Sequence, residues 1–264
     1  MDLGLADARV IVTGGASNIG RGIVHGFARE GARIVLADRD ADQAATVRAE
    51  ALDLGAAAVE VLVVDLTTDG AGGRVVGTAV DAWGGVDVLV NNAGWSVPGF
   101  LTEQTDRALW QRTIETNLYT AIDCTQAALG PMGEAGDGAI VFISSDAAFG
   151  AIRQGVYGTT KAGLIALART TAREQGRRGV RSNVVCPGLV LPDDGGVGAE
   201  SLWAGGRDAV FDEDQIASVL KQQALRRLTT PADVADAVVW LSSRRAARQV
   251  TGQVVAVGGG SSMP

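Results

Sequence analysis

Residues 9–20 read RVIVTGGASNIG, an apolar, β-branched run that leads into a glycine-rich turn. Continuous apolar runs of this length are typical of parallel strands that are covered on both faces. The helix predicted at Gly20–Glu30 would present free N–H groups and its positive dipole end to a pyrophosphate. A glycine-rich loop alone is weak evidence, because other tight strand-to-helix turns also need glycine. The stretch therefore predicts a strand–turn–helix unit whose function depends on its surroundings.

An acidic residue ends the second predicted strand. Asp38 follows Arg33–Ala37, and Arg39 comes next. A carboxylate at this position accepts hydrogen bonds from the ribose hydroxyls of NAD and repels the extra phosphate of NADP. Arg39 softens this preference, and the alternative interpretation of Asp38 is a solvated turn residue. We expect the cofactor to be NAD, with NADP less favoured.

Predicted strands and helices alternate along the whole sequence. The strands are Arg9–Thr13, Arg33–Ala37, Val59–Asp65, Val86–Asn91, Ala139–Ser144, Val180–Cys186 and Val254–Val257. The main helices are Gly20–Glu30, Ala41–Leu54, Thr105–Leu129, Val156–Gln175 and Pro231–Ser242. Such alternation indicates βαβ units. We predict an α/β fold, a single Rossmann-like doubly wound domain over residues 1–264 with a seven-stranded parallel sheet.

One long segment interrupts this alternation. Residues 191–228 contain Trp203, Phe211 and a short helical run near Asp214–Gln223. Excursions of this length in a compact domain are usually functional lids or disordered stretches. Because disordered segments are poor in aromatic residues, we predict a substrate lid.

Composition excludes several classes of function. The 264 residues carry a net charge of −7 without a basic run, which argues against a nucleic-acid partner. No apolar stretch is long enough to span a membrane, and no signal peptide is visible, so we expect a cytoplasmic protein. His25 is the only histidine, and Cys124 and Cys186 lie far apart in apolar segments. These counts argue against a metal site and a Ser-His-Asp triad.

Tyr157 and Lys161 are four residues apart in a predicted helix, so they share one face. A phenol with an unperturbed pKa of about 10 is a poor base near neutrality. We expect the neighbouring ammonium to lower the pKa of Tyr157 and to make the pair a tuned acid/base. On spacing alone, an ordinary helix surface is the commoner explanation.

Further motifs follow in order along the chain and identify a resemblance. They are Asp65-Leu66, Asn91-Asn92-Ala93-Gly94, Asn117, Ser144-Ser145, the Tyr157/Lys161 pair, Cys186-Pro187-Gly188 and the tail from Thr251 to Gly259. With the glycine loop, these motifs resemble the short-chain dehydrogenase/reductase family over essentially the whole chain. The resemblance implies hydride transfer between a nicotinamide and an alcohol or ketone.

The resemblance also implies which residues bind the cofactor. They are Gly14, Ser17, Asn18, Ile19, Gly20, Asp38, Arg39, Asp65, Leu66, Asn92, Ala93, Gly94, Tyr157, Lys161, Pro187, Gly188 and Val190. Asp65 and Leu66 are expected to border the adenine, and Lys161 to bind the nicotinamide ribose. For Asn91 we favour a structural role at the strand end.

By the same likeness, the catalytic residues are Ser145, Tyr157, Lys161 and Asn117. Tyr157 would act as the acid/base, and Asn117 would hold a water that links Lys161 to solvent; a helix kink or cap is the alternative role for Asn117. A serine would hydrogen-bond the substrate oxygen. Counting back from Tyr157 favours Ser144, whereas the strand pattern favours Ser145, which we prefer. Adjacent strand residues face opposite ways, so only one can face substrate.

Two positions depart from the family pattern. Asn18 replaces a glycine of the loop, and asparagine tolerates left-handed geometry well. Pro192 stands where the family often has a threonine, and it lacks both hydroxyl and N–H.

Apolar walls are predicted for the substrate pocket, with Trp95 and Trp203 among them. They favour a hydrophobic secondary alcohol or ketone, and the sequence near Ser145 is similar to that of relatives acting on cyclic alcohols or hydroxyacyl thioesters. Arg153 is either a ligand for an anionic substrate group or, more commonly, a solvated loop residue.

Other classes of function stay open from sequence. One alternative is a non-catalytic binding or regulatory subunit on the same fold, and another is a methyltransferase that uses the glycine loop differently. The complete set of catalytic residue types argues against both. The family likeness also implies a homo-oligomer, a tetramer or dimer.

Overall fold

The computed structural model describes residues 2–192, 197 and 213–263. Within this part of the chain, one parallel sheet has the strand order β3-β2-β1-β4-β5-β6-β7. The strands are β1 (Arg9–Thr13), β2 (Arg33–Asp38), β3 (Ala58–Val63), β4 (Val88–Asn91), β5 (Gly138–Ile143), β6 (Val180–Pro187) and β7 (Val254–Val257). Each predicted strand is present, and the ends differ by no more than two residues. The Rossmann-like α/β fold and its seven parallel strands are confirmed.

The apolar runs are buried because helices cover both faces of the sheet. Val10 and Val12 of β1 pack into the core on one face, whereas Ile11 packs into the core on the other. All three side chains are fully buried. This is why the run does not alternate with polar residues.

The helices are α1 (Asn18–Arg29), α2 (Ala41–Asp53), α3 (Ala71–Trp83), α4 (Arg107–Ile114), α5 (Thr120–Ala135), α6 (Gly155–Gln175), α7 (Glu213–Gln222) and α8 (Pro231–Ser242). A π-helical turn at Glu115–Tyr119 joins α4 to α5. The helix predicted at Thr105–Leu129 is therefore three consecutive pieces, and it continues through Pro131. In the described ranges, no helix is both long and apolar enough to cross a bilayer.

Helix α3 was not among the predicted helices because glycines interrupt its sequence. Gly72 packs so closely on α5 that a Cβ atom there would come within 2.6 Å of the Asp123 carbonyl carbon. Close packing therefore accounts for a residue that weakens an isolated helix.

Half of the predicted lid at 191–228 lies outside the described residues, as do Trp203 and Phe211. Helix α7 corresponds to the helical run predicted near Asp214–Gln223. The lid function stays a prediction.

The order of the strands changes direction between β1 and β4, whose carboxyl ends lie side by side. Ligands of open α/β sheets bind in the crevice at such a switch point. The glycine loop follows β1, and Asn92 follows β4. The fold therefore brings the predicted cofactor motifs to one edge of the sheet.

Candidate active site

The glycine loop has a backbone that larger residues would not allow. Gly14 has a φ of +62°, and a Cβ atom there would come within 2.9 Å of the Ala93 Cα. A Cβ atom on Gly20 would overlap the Gly14 carbonyl oxygen. These glycines let the loop pack directly on the chain that follows β4.

The N-terminus of α1 opens from this loop. Ser17 occupies the N-cap position, and among the described residues its side chain makes no capping hydrogen bond. Asn18 adopts the left-handed region with a φ of +43°, as its tolerance of this geometry predicts. Its Oδ1 atom is buried and has no hydrogen-bond partner in the described structure. The free backbone N–H groups at the start of the helix fit an anionic ligand such as a pyrophosphate, whereas Asn18 Oδ1 is an acceptor and needs a donor.

Asp38 is positioned by backbone N–H groups at the end of β2. Its Oδ2 accepts from the Ala16 amide at 2.9 Å, and its Oδ1 accepts from the Asp40 amide at 3.1 Å. Each carboxylate oxygen keeps a further lone pair for a ligand. Arg39 is exposed nearby.

Asp65 lies close to the same wall. Hydrogen bonds from the Thr67 hydroxyl and amide lower the pKa of Asp65, and the charges of Arg39 and Arg112 act in the same direction. The carboxylates Asp38 and Asp65 therefore lie near the guanidinium groups of Arg39 and Arg112. Carboxylates repel the extra phosphate of NADP and guanidinium groups attract it, so these charges affect the choice between NAD and NADP.

Asn92 connects the two loops at the switch point. Its Nδ2 donates to the carbonyl oxygens of Thr13 at 3.0 Å and Gly14 at 2.8 Å. The neighbouring Asn91 is buried, and its Nδ2 donates to Thr125 Oγ1 at 3.0 Å. Asn91 therefore bonds a side chain of α5 rather than the backbone groups at the strand end that we expected it to satisfy.

Tyr157 and Lys161 lie near the start of α6, with Lys161 Nζ 5.6 Å from the Tyr157 ring centroid. Lys161 is only 3% exposed, and its Nζ donates to the Ile143 carbonyl oxygen at 2.8 Å. Burial raises the pKa of Tyr157 to about 12, and the nearby Asp146 and Cys186 act in the same direction. Burial lowers the pKa of Lys161 to about 8.

The expectation that Lys161 lowers the pKa of Tyr157 is therefore wrong for this structure. The loss of hydration around the phenol is the largest cause of the raised pKa, and Lys161 is not among the groups that shift it. The pair is instead a protonated phenol beside a lysine that titrates closer to neutrality.

The two serines after β5 face different surroundings. Ser144 is 3% exposed, and its Oγ donates to the Lys161 carbonyl oxygen at 2.8 Å. The Ser145 hydroxyl is the group whose hydrogen bond opposes the raised pKa of Tyr157. The opposite orientations expected of adjacent strand residues are present. The catalytic assignment of Ser145 stays a prediction.

Asn117 is fully buried in the π-helical turn. Its Oδ1 accepts from the Trp95 amide at 2.7 Å, and its Nδ2 donates to the Trp95 carbonyl oxygen at 2.9 Å and to Thr160 Oγ1 at 3.0 Å. The Arg112 guanidinium packs over the Trp95 ring, 4.2 Å from its centroid. Asn117 thus fixes the backbone beside the reacting groups, and single-turn π-bulges are frequent at functional sites.

These groups share one cleft with a volume of about 540 Å³. The predicted residues that line it are Gly14, Ser17, Asn18, Ile19, Gly20, Asp38, Arg39, Asp65, Leu66, Asn92, Ala93, Gly94, Trp95, Ser145, Tyr157, Lys161, Pro187 and Gly188. Val190 is buried and bridges to Thr229 instead. Arg153 is exposed, and its guanidinium lies 5.7 Å from the Phe100 ring centroid. Trp203 lies outside the described residues.

The cleft also contains residues that the motifs did not identify, among them Ser96, Arg112 and Thr116. A charged residue in an amphipathic helix looks like part of a solvated face, so the sequence offers no signal for Arg112. Ser96 carried a weak signal, because it lies two residues after the motif that ends at Gly94.

The comparison with protein families agrees with this geometry. A family model described as Enoyl-(Acyl carrier protein) reductase matches residues 14–262. The chain belongs to the short-chain dehydrogenase/reductase family. It is an oxidoreductase of alcohols and ketones that uses a nicotinamide cofactor.

Relatives of this short-chain dehydrogenase/reductase match along nearly the whole chain. It is 35% identical to the BbsD subunit of (2S)-[(R)-hydroxy(phenyl)methyl]succinyl-CoA dehydrogenase of Thauera aromatica, over 99% of both chains. It is 34% identical to cis-4-hydroxycyclohexanecarboxylate dehydrogenase of Sinomonas cyclohexanicum, over 97% of this chain and 96% of the relative. L-rhamnose 1-dehydrogenase (NAD(P)(+)) of Azotobacter vinelandii is 37% identical, over 97% of both chains.

A solved structure shares the fold closely. It is 7α-hydroxysteroid dehydrogenase in complex with NADH and 7-oxoglycochenodeoxycholic acid, with a TM-score of 0.87 and 30% identity. The match covers 98% of this chain and 96% of that protein.

Proposed function

We propose that this short-chain dehydrogenase/reductase is NAD(H)-dependent and interconverts a hydrophobic secondary alcohol, of cyclic or hydroxyacyl type, with its ketone. The observation that carries the proposal is a single cleft that contains both the glycine loop and the group formed by Ser145, Tyr157 and Lys161. The groups proposed for acid/base chemistry and those proposed for cofactor binding therefore line the same cleft.

The cofactor proposal depends on the first half of the cleft. The open N-terminus of α1 and the loop around Asn18 suit the pyrophosphate, and Asp38 suits an unphosphorylated ribose. We assign Asp65 and Leu66 to the adenine, and Pro187 and Gly188 to the nicotinamide. Bound NAD accepts a hydride, and bound NADH donates one.

The acid/base proposal depends on the second half of the cleft, where Ser145, Tyr157 and Lys161 lie. A phenol with a raised pKa is protonated at neutral pH, so Tyr157 is available to donate its proton to a ketone oxygen. In oxidation the phenolate form of Tyr157 takes the alcohol proton, so we expect oxidation to become faster as the pH rises toward the pKa of Tyr157. Below a pH of about 8 the Lys161 ammonium stabilises the phenolate that forms during proton transfer. Ser145 hydrogen-bonds the substrate oxygen, and Asn117 positions the adjoining backbone and holds the water that links Lys161 to solvent.

An apolar rim beside the cleft supports the proposed substrate class. Phe149 and Ile152 are 45% and 83% exposed, and Leu101 is 67% exposed. The segments that carry them are joined by a hydrogen bond from the Gly99 amide to the Arg153 carbonyl oxygen, at 2.9 Å. Two relatives act, by name, on a cyclohexane carboxylate and on an acyl-CoA thioester, which agrees with a ring or an acyl body.

The proposal includes a homo-oligomer, a tetramer or dimer. By family likeness, the helices predicted at Thr105–Leu129 and Val156–Gln175 pack between subunits. Leu109, Tyr119 and Ile122 are exposed along the first of these, which comprises α4, the π-helical turn and α5. Light scattering that shows a monomer at assay concentration would contradict it. We also propose a cytoplasmic location, because the buried free thiols Cys124 and Cys186 suit a reducing compartment.

A substrate screen tests the function. Purified protein is incubated with NAD or NADP and a panel of cyclic secondary alcohols and hydroxyacyl thioesters, and reduced nicotinamide is followed at 340 nm. We expect NADH to form with at least one hydrophobic member and NADPH to form more slowly. No turnover in either direction, with any alcohol or ketone of the panel, would overturn the proposal.

A further inference from the structure

The carboxylate of Asp146 is hydrogen-bonded to the Ser145 hydroxyl. Ser145 Oγ donates to Asp146 Oδ1 at 3.2 Å, and the Ala147 amide donates to Ser145 Oγ at 3.1 Å. The other carboxylate oxygen, Oδ2, lies 3.5 Å from Ser261 Oγ in the segment after β7. Burial raises the pKa of Asp146, while its hydrogen bonds act in the opposite direction. The family pattern assigns no role to this residue.

Ser145 has one proton and several possible acceptors for it. A hydroxyl donates one hydrogen bond and offers two lone pairs. The acceptors are the Asp146 carboxylate, the Tyr157 oxygen and the oxygen of a substrate. An ionised carboxylate is the strongest of the three, because charge-assisted hydrogen bonds are roughly twice as strong as neutral ones. The proton therefore points to Asp146, and one lone pair of Ser145 faces the cleft.

This orientation distinguishes an alcohol from a ketone. An alcohol can accept from the protonated Tyr157 and donate to Ser145, which completes a directed chain that ends at Asp146. A ketone has no proton to donate. Ser145 can serve the ketone only by turning its proton away from the carboxylate.

We propose that Asp146 is a positioning residue that holds the Ser145 proton and thereby favours binding of the alcohol over the ketone. The inference rests on the proposed function, since it requires a substrate oxygen next to Ser145. It predicts opposite effects on two substrates, which a purely structural role would not produce.

Asp146→Asn keeps the shape of the side chain and removes its charge. The variant and the parent are compared with cyclohexanol plus NAD and with cyclohexanone plus NADH as the probe pair. We expect KM to rise for cyclohexanol and to fall for cyclohexanone, so that their ratio changes about tenfold, the effect of one hydrogen bond. Asp81→Asn on the exposed face of α3 is the matched control. Parallel changes in both KM values, or no change, would overturn the proposal.

A titration tests the same hydrogen bond without turnover. The chain has two tyrosines, so ζ-carbon NMR labels give two signals, and Tyr119→Phe assigns that of Tyr157. In the parent, about a tenth of Tyr157 is ionised at pH 11, given its pKa of about 12. Asp146→Asn raises this fraction by removing a charge and by releasing the Ser145 proton toward the phenol.

The Ser145→Ala background separates the two contributions. In the Ser145→Ala background, Asp146→Asn changes only the charge near Tyr157, because the Ser145 proton is absent. We therefore expect the ionised fraction of Tyr157 to rise less in this background than in the parent. Equal shifts in both backgrounds would mean that Asp146 does not act through Ser145. Because this readout needs no substrate, inactivity toward cyclohexanol would count against the proposed function and leave the titration to decide the role of Asp146.

Discussion

The two walls of the cleft are built from different kinds of interaction. On the cofactor wall, formed by residues 13–20, 38–39 and 65–66, backbone groups fix the polar side chains, as the two amides that bind Asp38 illustrate. On the reacting wall, formed by Ser145, Tyr157 and Lys161, burial moves the pKa of the phenol to about 12 and that of the ammonium to about 8. The first wall is fixed by hydrogen bonds within the chain, whereas the second holds poorly solvated groups where chemistry requires them.

Apart from the change at Tyr157, the serine pair gives the largest expected effect. Ser145→Ala removes a hydroxyl that faces Tyr157, and we expect kcat to fall by about 100- to 1000-fold, as for the loss of one donor to a developing oxyanion. Ser144→Ala removes the buried hydrogen bond to the Lys161 carbonyl oxygen and a hydrogen bond to the Cys186 side chain. It should cost about 1 kcal/mol in the free energy of unfolding and leave kcat nearly unchanged. Steady-state kinetics and urea unfolding of both variants check this, and the reverse pattern would assign catalysis to Ser144.

Substitution of Lys161 tests whether the buried groups of the reacting wall lower the free energy of unfolding. Its pKa is about 8 in the folded protein and 10.5 in its ordinary state. Below pH 8 Lys161 is protonated in both the folded and the unfolded chain, so folding has to bury a charged ammonium group. Between pH 8 and 10.5 only the unfolded chain keeps the proton, so this contribution to stability rises with pH. Relative to Lys161→Met, the parent should gain roughly 2 kcal/mol in the free energy of unfolding from pH 7 to pH 10.

The chain offers a matched control, since Lys221 is its only other lysine and is exposed on α7. Lys221→Met should follow the parent at both pH values in urea unfolding. A constant difference between the parent and Lys161→Met across this range would show that Lys161 is not destabilised by burial.

Asp38 tests the cofactor wall, where we expect a smaller effect. Asp38→Asn keeps an acceptor for only one of the two amides that Asp38 binds, and it loses the charge that repels the phosphate of NADP. The ratio of kcat/KM for NAD to that for NADP should fall by about tenfold, or roughly 1.4 kcal/mol. An unchanged ratio would indicate that Arg39 or Arg112, rather than Asp38, sets the preference.

The same contrast explains what the sequence could predict. Apolar runs located each strand because both faces of a parallel sheet are buried, as for Val10 and Ile11. The glycine loop was predictable because Gly14 and Gly20 meet backbone atoms that exclude a side chain. The π-helical turn was not, since a continuous helical pattern does not reveal a change in hydrogen-bond register at Asn117.

The spacing of residues in the sequence did not reveal the pKa shifts at the reacting wall. The four-residue separation of Tyr157 and Lys161 predicts proximity but not depth, and burial decides the direction of both pKa shifts. Asp146 had no signal either, because its effect depends on the Ser145 hydroxyl that it accepts from. Arg112 lines the cleft and packs over the Trp95 ring, and the sequence reveals neither contact.

The most direct test of the account compares the two tyrosines. With the best alcohol from the screen and saturating NAD, Tyr157→Phe should lower the rate of NADH formation by about 1000-fold, within the range of lost acid/base catalysis. NADH binding, followed by fluorescence, should be retained. Tyr119→Phe, which changes a side chain that is 57% exposed, should match the parent. A Tyr157→Phe variant that turns over at the parental rate would contradict the assignment of this cleft as the site of alcohol and ketone chemistry.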